Sequence, residues 1–125
     1  MKVPESQLVD MTTTGRRSGR PSRIEVGMLS FDGRLYISGL PGPRSWLANV
    51  VADPQMTLHL KVNETADLPA RARVISDPDE RRSLLTRITR HWRREADLER
   101  FLASSPLIEV ILDRDGSGPP PSPGG

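Results

Sequence analysis

The sequence predicts a mainly β domain with peripheral helices, an α+β fold organised as a small antiparallel barrel. Three observations carry this prediction. Short segments of alternating or β-branched residues recur along the chain, turn signals separate them, and the apolar spacing changes to a helical period in three places. The resulting order, β-β-β-α-β-β-α-α-β, favours hairpin-connected strands that close into a barrel with the helices at its periphery.

The first three strands follow one another through tight turns. Strand signals cover Leu8–Thr14, Ile24–Phe31 and Arg34–Ser38. Residues 15–21 contain two Gly and a Pro and predict a turn between the first two strands. Asp32-Gly33 is a strong two-residue hairpin signal between the second and the third.

A short helix is predicted after the third strand. The loop Gly39–Pro43 leads into Arg44–Ala52, where apolar residues recur at helical spacing. Asp53-Pro54 ends this helix, because the residue before a proline disfavours helical backbone.

Two further strands and the remaining helices complete the order. Met56–Val62 alternates, so Met56, Leu58, Leu60 and Val62 are predicted to face inward and Thr57, His59 and Lys61 outward. Residues 63–68 are interpreted as a loop, and Ala70–Ile75 as the fifth strand. The acid-rich segment Ser76–Glu80 starts a long helix with an apolar stripe, a second helical piece follows Ala96, and Leu107–Leu112 is the last strand. The stripe consists of Leu84, Leu85, Ile88 and Trp92.

Composition predicts a single domain over residues 1–115 with one modest core, since hydrophobic residues are 35% and aromatic residues 4% of the 125. The segment Gly116–Gly125 contains only Gly, Pro and Ser and is predicted to be a disordered tail. The absence of Cys excludes disulfides, thiolate metal sites and cysteine nucleophiles. No apolar run has the length of a transmembrane helix, and Met1–Asp10 lacks the apolar core of a signal peptide, so a cytoplasmic location is expected.

The basic residues are almost all Arg, and they are concentrated locally. The net charge is only +2, yet Arg16, Arg17, Arg20 and Arg23 lie within Met11–Arg23 without one acidic residue. Arginine is suited to bidentate recognition of phosphate and carboxylate. A local field of this kind favours a small anion over a nucleic acid, whose binding domains show broader basic faces and stacking aromatics.

Several familiar chemistries are not supported by the sequence. The spacing of Gly15 and Gly19 does not fit a Walker-type phosphate loop, and no dinucleotide-binding glycine motif follows a strand. The only histidines, His59 and His91, lie 32 positions apart, so no metal site is predicted. His59 is interpreted as a surface residue, and His91 as a partner of a helix C-terminus.

The segment Thr12–Arg20 (Thr-Thr-Thr-Gly-Arg-Arg-Ser-Gly-Arg) is the strongest candidate for a site. It combines hydroxyls, flexible backbone N–H groups and three guanidinium groups, which together can hold a phosphate or a carboxylate. The alternative is a solvated hairpin turn whose arginines have no ligand.

Two segments resemble one known family. Thr12–Pro21 is similar to the T-T-G-R-[KR]-S-G-x-P block of the deazaflavin-dependent nitroreductases and quinone reductases. Ser38–Pro54, with Trp46 and Asn49, resembles their S-x-G…W-x-x-N-L-x-A-N-P block. The glycine-rich part between Ser38 and Trp46 is about two residues shorter than in well-known members, Gly39 replaces a residue that is often basic, and Leu47 replaces a frequent aromatic.

The resemblance implies a split β-barrel of the flavin-reductase and pyridoxamine-phosphate-oxidase type, and the cofactor F-420, an 8-hydroxy-5-deazaflavin with a phospholactyl and oligoglutamate tail. It implies that the turn holds the tail and that Ser38 and Gly39 lie along the deazaflavin ring, as orienting groups and donors toward developing negative charge. Trp46 and Asn49 would lie beside the cofactor, one helical turn apart. The cofactor-binding residues so expected are Thr14, Gly15, Arg16, Arg17, Ser18, Gly19, Arg20, Ser38, Trp46 and Asn49.

The function implied is hydride transfer from reduced coenzyme F-420 to a small-molecule electron acceptor, a quinone, nitroaromatic or activated enone. The alternative is a non-catalytic split-barrel protein that binds flavin mononucleotide, haem, biliverdin or a lipid; only His59, His91, Tyr36 or a Met could then ligate haem iron. A nucleic-acid partner is not expected, and a homodimer is.

Overall fold

The computed structural model describes residues 5–113, which form a six-stranded barrel with three α-helices. The elements are β1 (Ser6–Thr14), β2 (Pro21–Phe31), β3 (Arg34–Ser38), α1 (Ser45–Ala52), β4 (Gln55–Leu60), β5 (Ala66–Val74), α2 (Pro78–His91), a single 3-10 turn (Glu95–Asp97), α3 (Leu98–Ser104) and β6 (Leu107–Leu112). The predicted order of strands and helices is confirmed. The predicted tail, Gly116–Gly125, lies outside the described residues.

All neighbouring strands are antiparallel, and the barrel closes in the order β1-β2-β3-β6-β5-β4, with β4 paired back to β1. Hairpins join β1 to β2, β2 to β3 and β4 to β5. Closure removes the unpaired edges that an open sheet would expose. The split-barrel fold expected from the resemblance is therefore confirmed.

The barrel interior forms the first of two cores. Alternate residues of β1 and β4 point inward, among them Val9, Met11 and Leu58, which are fully buried. The helix α1 closes one end of the barrel, where Trp46 and Val50 join the interior core.

The second core lies outside the barrel, between the sheet and the helices α2 and α3. Leu29 of β2 and Leu107 of β6 meet Leu85 and Ile88 of α2 and Phe101 of α3. Burial of these side chains fixes the helices against one side of the barrel, and at about 25 cal/mol per Å² of apolar surface it is the main source of their attachment.

The long helix α2 begins and docks through polar contacts as well. The Asp77 carboxylate accepts a hydrogen bond from the Glu80 N–H at 2.9 Å, and Pro78 occupies the first turn, as a helix start requires. Arg81 donates to four backbone carbonyls at 3.0–3.2 Å, those of Ile75, Phe101, Leu102 and Ser105. Partial burial lowers the pKa of the Arg81 guanidinium.

Two boundaries differ from the sequence prediction around β4 and β5. Residues 66–68 were expected in a loop and belong to β5, which also includes Pro69, a residue outside the predicted strand. Pro69 is tolerated because it lies at the end of the β5–β6 ladder, which begins at Ala70. Its carbonyl still accepts from the Asp113 N–H at 2.9 Å, so only its own missing N–H is lost. Val62 was expected inside the barrel, but β4 ends at Leu60 and Val62 is 40% exposed.

Candidate cofactor-binding site

The Arg-rich turn, residues 15–20, connects β1 to β2 and has a fixed backbone. The Gly15 N–H donates to the Arg20 carbonyl at 2.8 Å, and the Gly19 N–H donates to the Gly15 carbonyl at 2.8 Å. Gly19 adopts φ +72°, which disfavours any side chain. At Gly15 a Cβ would lie 2.8 Å from Ser18 Oγ, and that oxygen accepts from the Arg20 N–H at 3.1 Å. The turn is therefore a compact loop that requires its two glycines.

The turn presents uncompensated positive charge to solvent. Arg16, Arg17 and Arg20 are exposed, and within residues 5–113 none of them forms an ion pair with a carboxylate. Arg23, in contrast, lies 3.0 Å from Asp10. The turn therefore places three cations close together, and the guanidinium groups of Arg17 and Arg20 have no carboxylate partner that an incoming anion would have to displace.

Asn49 on α1 anchors the turn to the barrel. Its Oδ1 accepts from the Arg16 N–H at 3.1 Å and from Arg16 Nη1 at 3.0 Å, and its Nδ2 donates to Thr13 Oγ1 at 3.1 Å. The side chain is 4% exposed, so these bonds are shielded from water. Arg16 Nη1 also donates to the Ser45 carbonyl at 3.5 Å. The structure thus brings Thr13, Arg16 and Asn49 together.

Ser38 and Gly39 lie at the end of β3, where the chain enters the loop before α1. The buried Ser38 hydroxyl donates to the Pro106 carbonyl at 2.6 Å, so its proton is committed to the protein. Arg44 organises the loop: its guanidinium donates to the carbonyls of Leu40, Gly42 and Pro43 at 3.0–3.2 Å. A Cβ at Gly39 would lie 3.3 Å from Arg44 Nη2, so this position too is closely packed.

The remaining predicted site residues fall in different surroundings. Trp46 is 6% exposed and packs in the interior core, which leaves little of its ring for a ligand. Thr14 ends β1 directly opposite Pro21, the first residue of β2, and is half-buried next to the turn. Trp46 and Asn49 share α1, but only Asn49 reaches the turn.

Comparison with known protein families is consistent with this arrangement. Residues 1–101 match the model of the F420H(2)-dependent quinone reductase family. The chain belongs to this family. No curated protein matches the sequence significantly.

Solved structures similar to this quinone reductase family member share its fold at low sequence identity. A protein from Listeria innocua provisionally described as a pyridoxamine 5'-phosphate oxidase has a TM-score of 0.66 at 14% identity, covering 86% of this chain and 85% of that one. HutZ, a heme storage protein from Vibrio cholerae, has a TM-score of 0.65 at 10% identity, with coverages of 86% and 82%. An F420-H2 dependent reductase, FDR-A, has a TM-score of 0.59 at 19% identity, with coverages of 82% and 92%.

The residues present fit the tail of the family's cofactor. Coenzyme F-420 carries a phosphate and glutamate carboxylates, and the turn offers Arg17 and Arg20 without carboxylate partners beside a buried anchor that fixes Arg16. Family membership indicates an F-420-dependent reductase. Residues 5–113 contain no cluster of His, Cys, Asp or Glu suited to a metal ion, and no helix there is long and apolar enough to cross a bilayer.

Two residues of the site were not among the predicted set. Thr13 is 2% exposed and bonds to Asn49, and Arg44 holds the loop after β3. The three consecutive threonines before Gly15 contained the signal for Thr13, because in a strand the middle one points to the opposite face from its neighbours. No sequence signal distinguished Arg44 from the other 15 arginines.

The interpretation of His59 as a surface residue is wrong. It does point to the outer side of β4, but it is 8% exposed and bonds to Thr12 of β1 and Asp67 of β5 through its two ring nitrogens, each at 2.7 Å. Asp67 is the direct cross-strand partner of His59 on β5, and Thr12 lies diagonally opposite His59 on β1. Both nitrogens are engaged, so His59 cannot ligate haem iron in this arrangement. His91 ends α2 as predicted and bonds to Ser6 Oγ at 3.0 Å.

Charged side chains on the outer face pair with one another near the turn. Lys61 contacts Asp10 at 2.7 Å and also bonds to Glu25, and Arg23 contacts the other oxygen of Asp10. These hydrogen bonds lower the pKa of Asp10 and raise the pKa of Lys61. Asp10 and Glu25 are therefore paired with Lys61 and Arg23, and they do not offset the positive charge of the turn.

Proposed function

We propose that the protein is a reductase that binds coenzyme F-420 through the turn at residues 15–20 and reduces a quinone, a nitroaromatic or an activated enone. The observation that carries the proposal is a set of three exposed arginines without carboxylate partners, on a turn pinned by the buried side chain of Asn49. When bound, the reduced cofactor supplies hydride from carbon 5 of its deazaflavin ring, so the protein needs no nucleophile or metal of its own.

In this proposal the turn performs the binding. Arg17 and Arg20 would hold the phosphate and glutamate groups, because contacts between oppositely charged partners are strong. Arg16 contributes its charge from a fixed position, since Asn49 holds its backbone and its guanidinium. Gly19 has no side chain and Ser18 a small one, so the backbone N–H groups of the turn can approach the tail closely.

The other end of the cofactor would lie toward the end of β3. There the protein's contribution is position, because hydride transfer requires the donor carbon and the acceptor atom to lie about 3 to 3.5 Å apart. Donors near the acceptor stabilise the negative charge that grows on it. The Ser38 hydroxyl can serve only by exchanging its bond to Pro106, so the adjacent Gly39 N–H is the alternative donor. Thr14 would complete the contacts at the turn, and Trp46 would offer only the small exposed part of its ring at α1.

Charge reversal tests the binding role of the turn. Arg17→Glu places an anion beside a polyanion, and we expect the Kd for oxidised coenzyme F-420, followed by quenching of its fluorescence at low salt, to rise well over tenfold. Arg90→Glu is the matched control, because it makes the same change in net charge at an exposed position of α2. An Arg17→Glu Kd equal to that of the control would refute the role assigned to the turn.

Turnover tests the reductase activity itself. The purified protein is mixed with reduced coenzyme F-420 and, in separate reactions, menadione, a nitroaromatic and an activated enone, and reoxidation of the cofactor is followed by its absorbance. We expect reoxidation above the rate without protein for at least one acceptor, and a lower rate for Arg17→Glu at subsaturating cofactor. Binding without reoxidation for all three classes would instead support a non-catalytic carrier.

The homodimer implied by the resemblance is also a proposal. Light scattering of the full chain at several concentrations measures the mass of the species in solution. A monomer mass throughout the series would contradict the dimer without affecting the binding proposal.

A further inference from the structure

A hydrogen-bonded chain of hydroxyl, imidazole and carboxylate crosses three strands on the outer face of the barrel. Thr12 Oγ1 of β1 lies 2.7 Å from His59 Nε2 of β4, and His59 Nδ1 lies 2.7 Å from Asp67 Oδ1 of β5. The ladder places the three strands side by side in the order β1-β4-β5. None of the three residues is among the expected cofactor contacts, although Thr12 begins the candidate segment Thr12–Arg20.

The chemistry of the three groups fixes the direction of the hydrogen bonds when the imidazole is neutral. An ionised carboxylate only accepts, so His59 Nδ1 carries the hydrogen and donates to Asp67. His59 Nε2 then bears a lone pair and accepts the hydrogen of the Thr12 hydroxyl. A hydroxyl that donates to an imidazole held by a carboxylate is the arrangement that activates an oxygen nucleophile.

Thr12 faces a cavity of about 300 Å³ that is open to solvent. No ionisable side chain borders the cavity, whose lining includes Thr14 and Gly19, two of the expected cofactor contacts. Its volume is at the lower end of the range for small-molecule sites. The lining therefore suits a small neutral molecule rather than an anion, in contrast to the neighbouring turn.

Other polar side chains line the same cavity as Thr12. Thr57 is its direct cross-strand neighbour, and Thr14 and Gln55 also line the cavity. Within the described part of the chain, the hydroxyls of Thr14 and Thr57 and the side-chain amide of Gln55 have no hydrogen-bond partner. They are free to donate to a carbonyl oxygen that gains negative charge beside Thr12.

We propose that Thr12 is the nucleophile of an acyl-transfer site that takes small, neutral aryl esters. Thr12 Oγ1 forms a bond to the ester carbonyl carbon while its proton passes to His59 Nε2. The bond between that carbon and the phenol oxygen then breaks, and the proton on His59 leaves with the phenol. The product is an acyl ester on Thr12, and no electrons are exchanged. Asp67 acts as a positioning residue that holds the required tautomer of His59.

The test is acylation of the purified full chain by 4-nitrophenyl acetate, with release of nitrophenolate followed by absorbance and the acetyl group located by peptide mass mapping. Mapping is required because Lys2 and Lys61 also react with activated esters. The variants are Thr12→Val, which has nearly the same shape, and Asp67→Asn, which changes one atom of an exposed side chain. Thr65→Val is the matched control, since it removes an exposed hydroxyl that neither lines the cavity nor contacts His59.

We expect an acetyl group on Thr12 of the wild type and none on residue 12 of Thr12→Val. Asp67→Asn is expected to lower the rate of acetylation at Thr12 by about 100-fold, the scale of general-base assistance, whereas Thr65→Val should leave the rate unchanged. An unmodified Thr12 in the wild type would overturn the proposal, as would an Asp67→Asn rate equal to the wild-type rate. The Asp67→Asn result decides alone if Thr12→Val does not fold, and coenzyme F-420 takes no part in the assay.

Discussion

Replacing Asn49 by Ala removes the anchor between the turn and the barrel. The variant leaves the Arg16 N–H and the Thr13 hydroxyl without their partner and frees the Arg16 guanidinium. Each of these three bonds contributes about 1 kcal/mol, and the site is buried, so we expect a loss of about 3 kcal/mol in the free energy of unfolding. For a domain of this size that loss lowers the Tm by about 10 °C.

Urea denaturation followed by circular dichroism measures this loss. Val51→Ala is the matched control, because Val51 lies on the same helix and is 66% exposed, and its change should stay within about 0.5 kcal/mol. The Kd for coenzyme F-420 should also rise in Asn49→Ala, since Arg16 is no longer held. An Asn49→Ala stability equal to that of the control would refute the anchoring argument.

Three further predictions concern the second core and its ion pairs. Arg81→Gln should lower the free energy of unfolding by about 2 kcal/mol, because backbone carbonyls lose a charged donor. The exposed Arg82→Gln should change it by less than about 0.5 kcal/mol. Equal losses in urea denaturation would contradict this contrast. Leu85→Ala should lower the free energy of unfolding by about 3 kcal/mol, because it opens a cavity beneath α2. An unchanged Tm would argue against that packing. Arg73 lowers the pKa of Glu80, so this pair adds stability above the unfolded pKa of about 4.3 and loses it as the pH falls. The free energy of unfolding, measured from pH 6 to pH 2, should therefore fall more steeply in the wild type than in Glu80→Gln. Parallel curves would exclude this contribution.

Local sequence signals were sufficient for most of the fold. Asp32-Gly33 correctly predicted the β2–β3 hairpin. The start of α2 was also predicted, because Asp77 caps the helix and Pro78 fits its first turn. The first four residues of β5 were missed. Whether Pro69 breaks a strand depends on which neighbour pairs with it, and that is set by the barrel as a whole.

The candidate site was predictable in its charge and not in its internal contacts. The clustering of Arg16, Arg17 and Arg20 is readable from the sequence, and the structure leaves all three exposed. Alternation along β4 correctly placed His59 on the outer side of the barrel, but its burial depends on Thr12 and Asp67, which are 47 and 8 positions away. Contacts between residues so far apart arise only when the strands pair.

The most direct measurement is a titration of the full chain with oxidised coenzyme F-420, following the quenching of its fluorescence, with flavin mononucleotide as the competitor. The account predicts saturable binding with a micromolar Kd that excess flavin does not abolish and that weakens with added salt, because the turn recognises a polyanion. Folded protein that leaves the fluorescence unchanged, or that exchanges the deazaflavin readily for flavin mononucleotide, would contradict the claim that these arginines serve this cofactor.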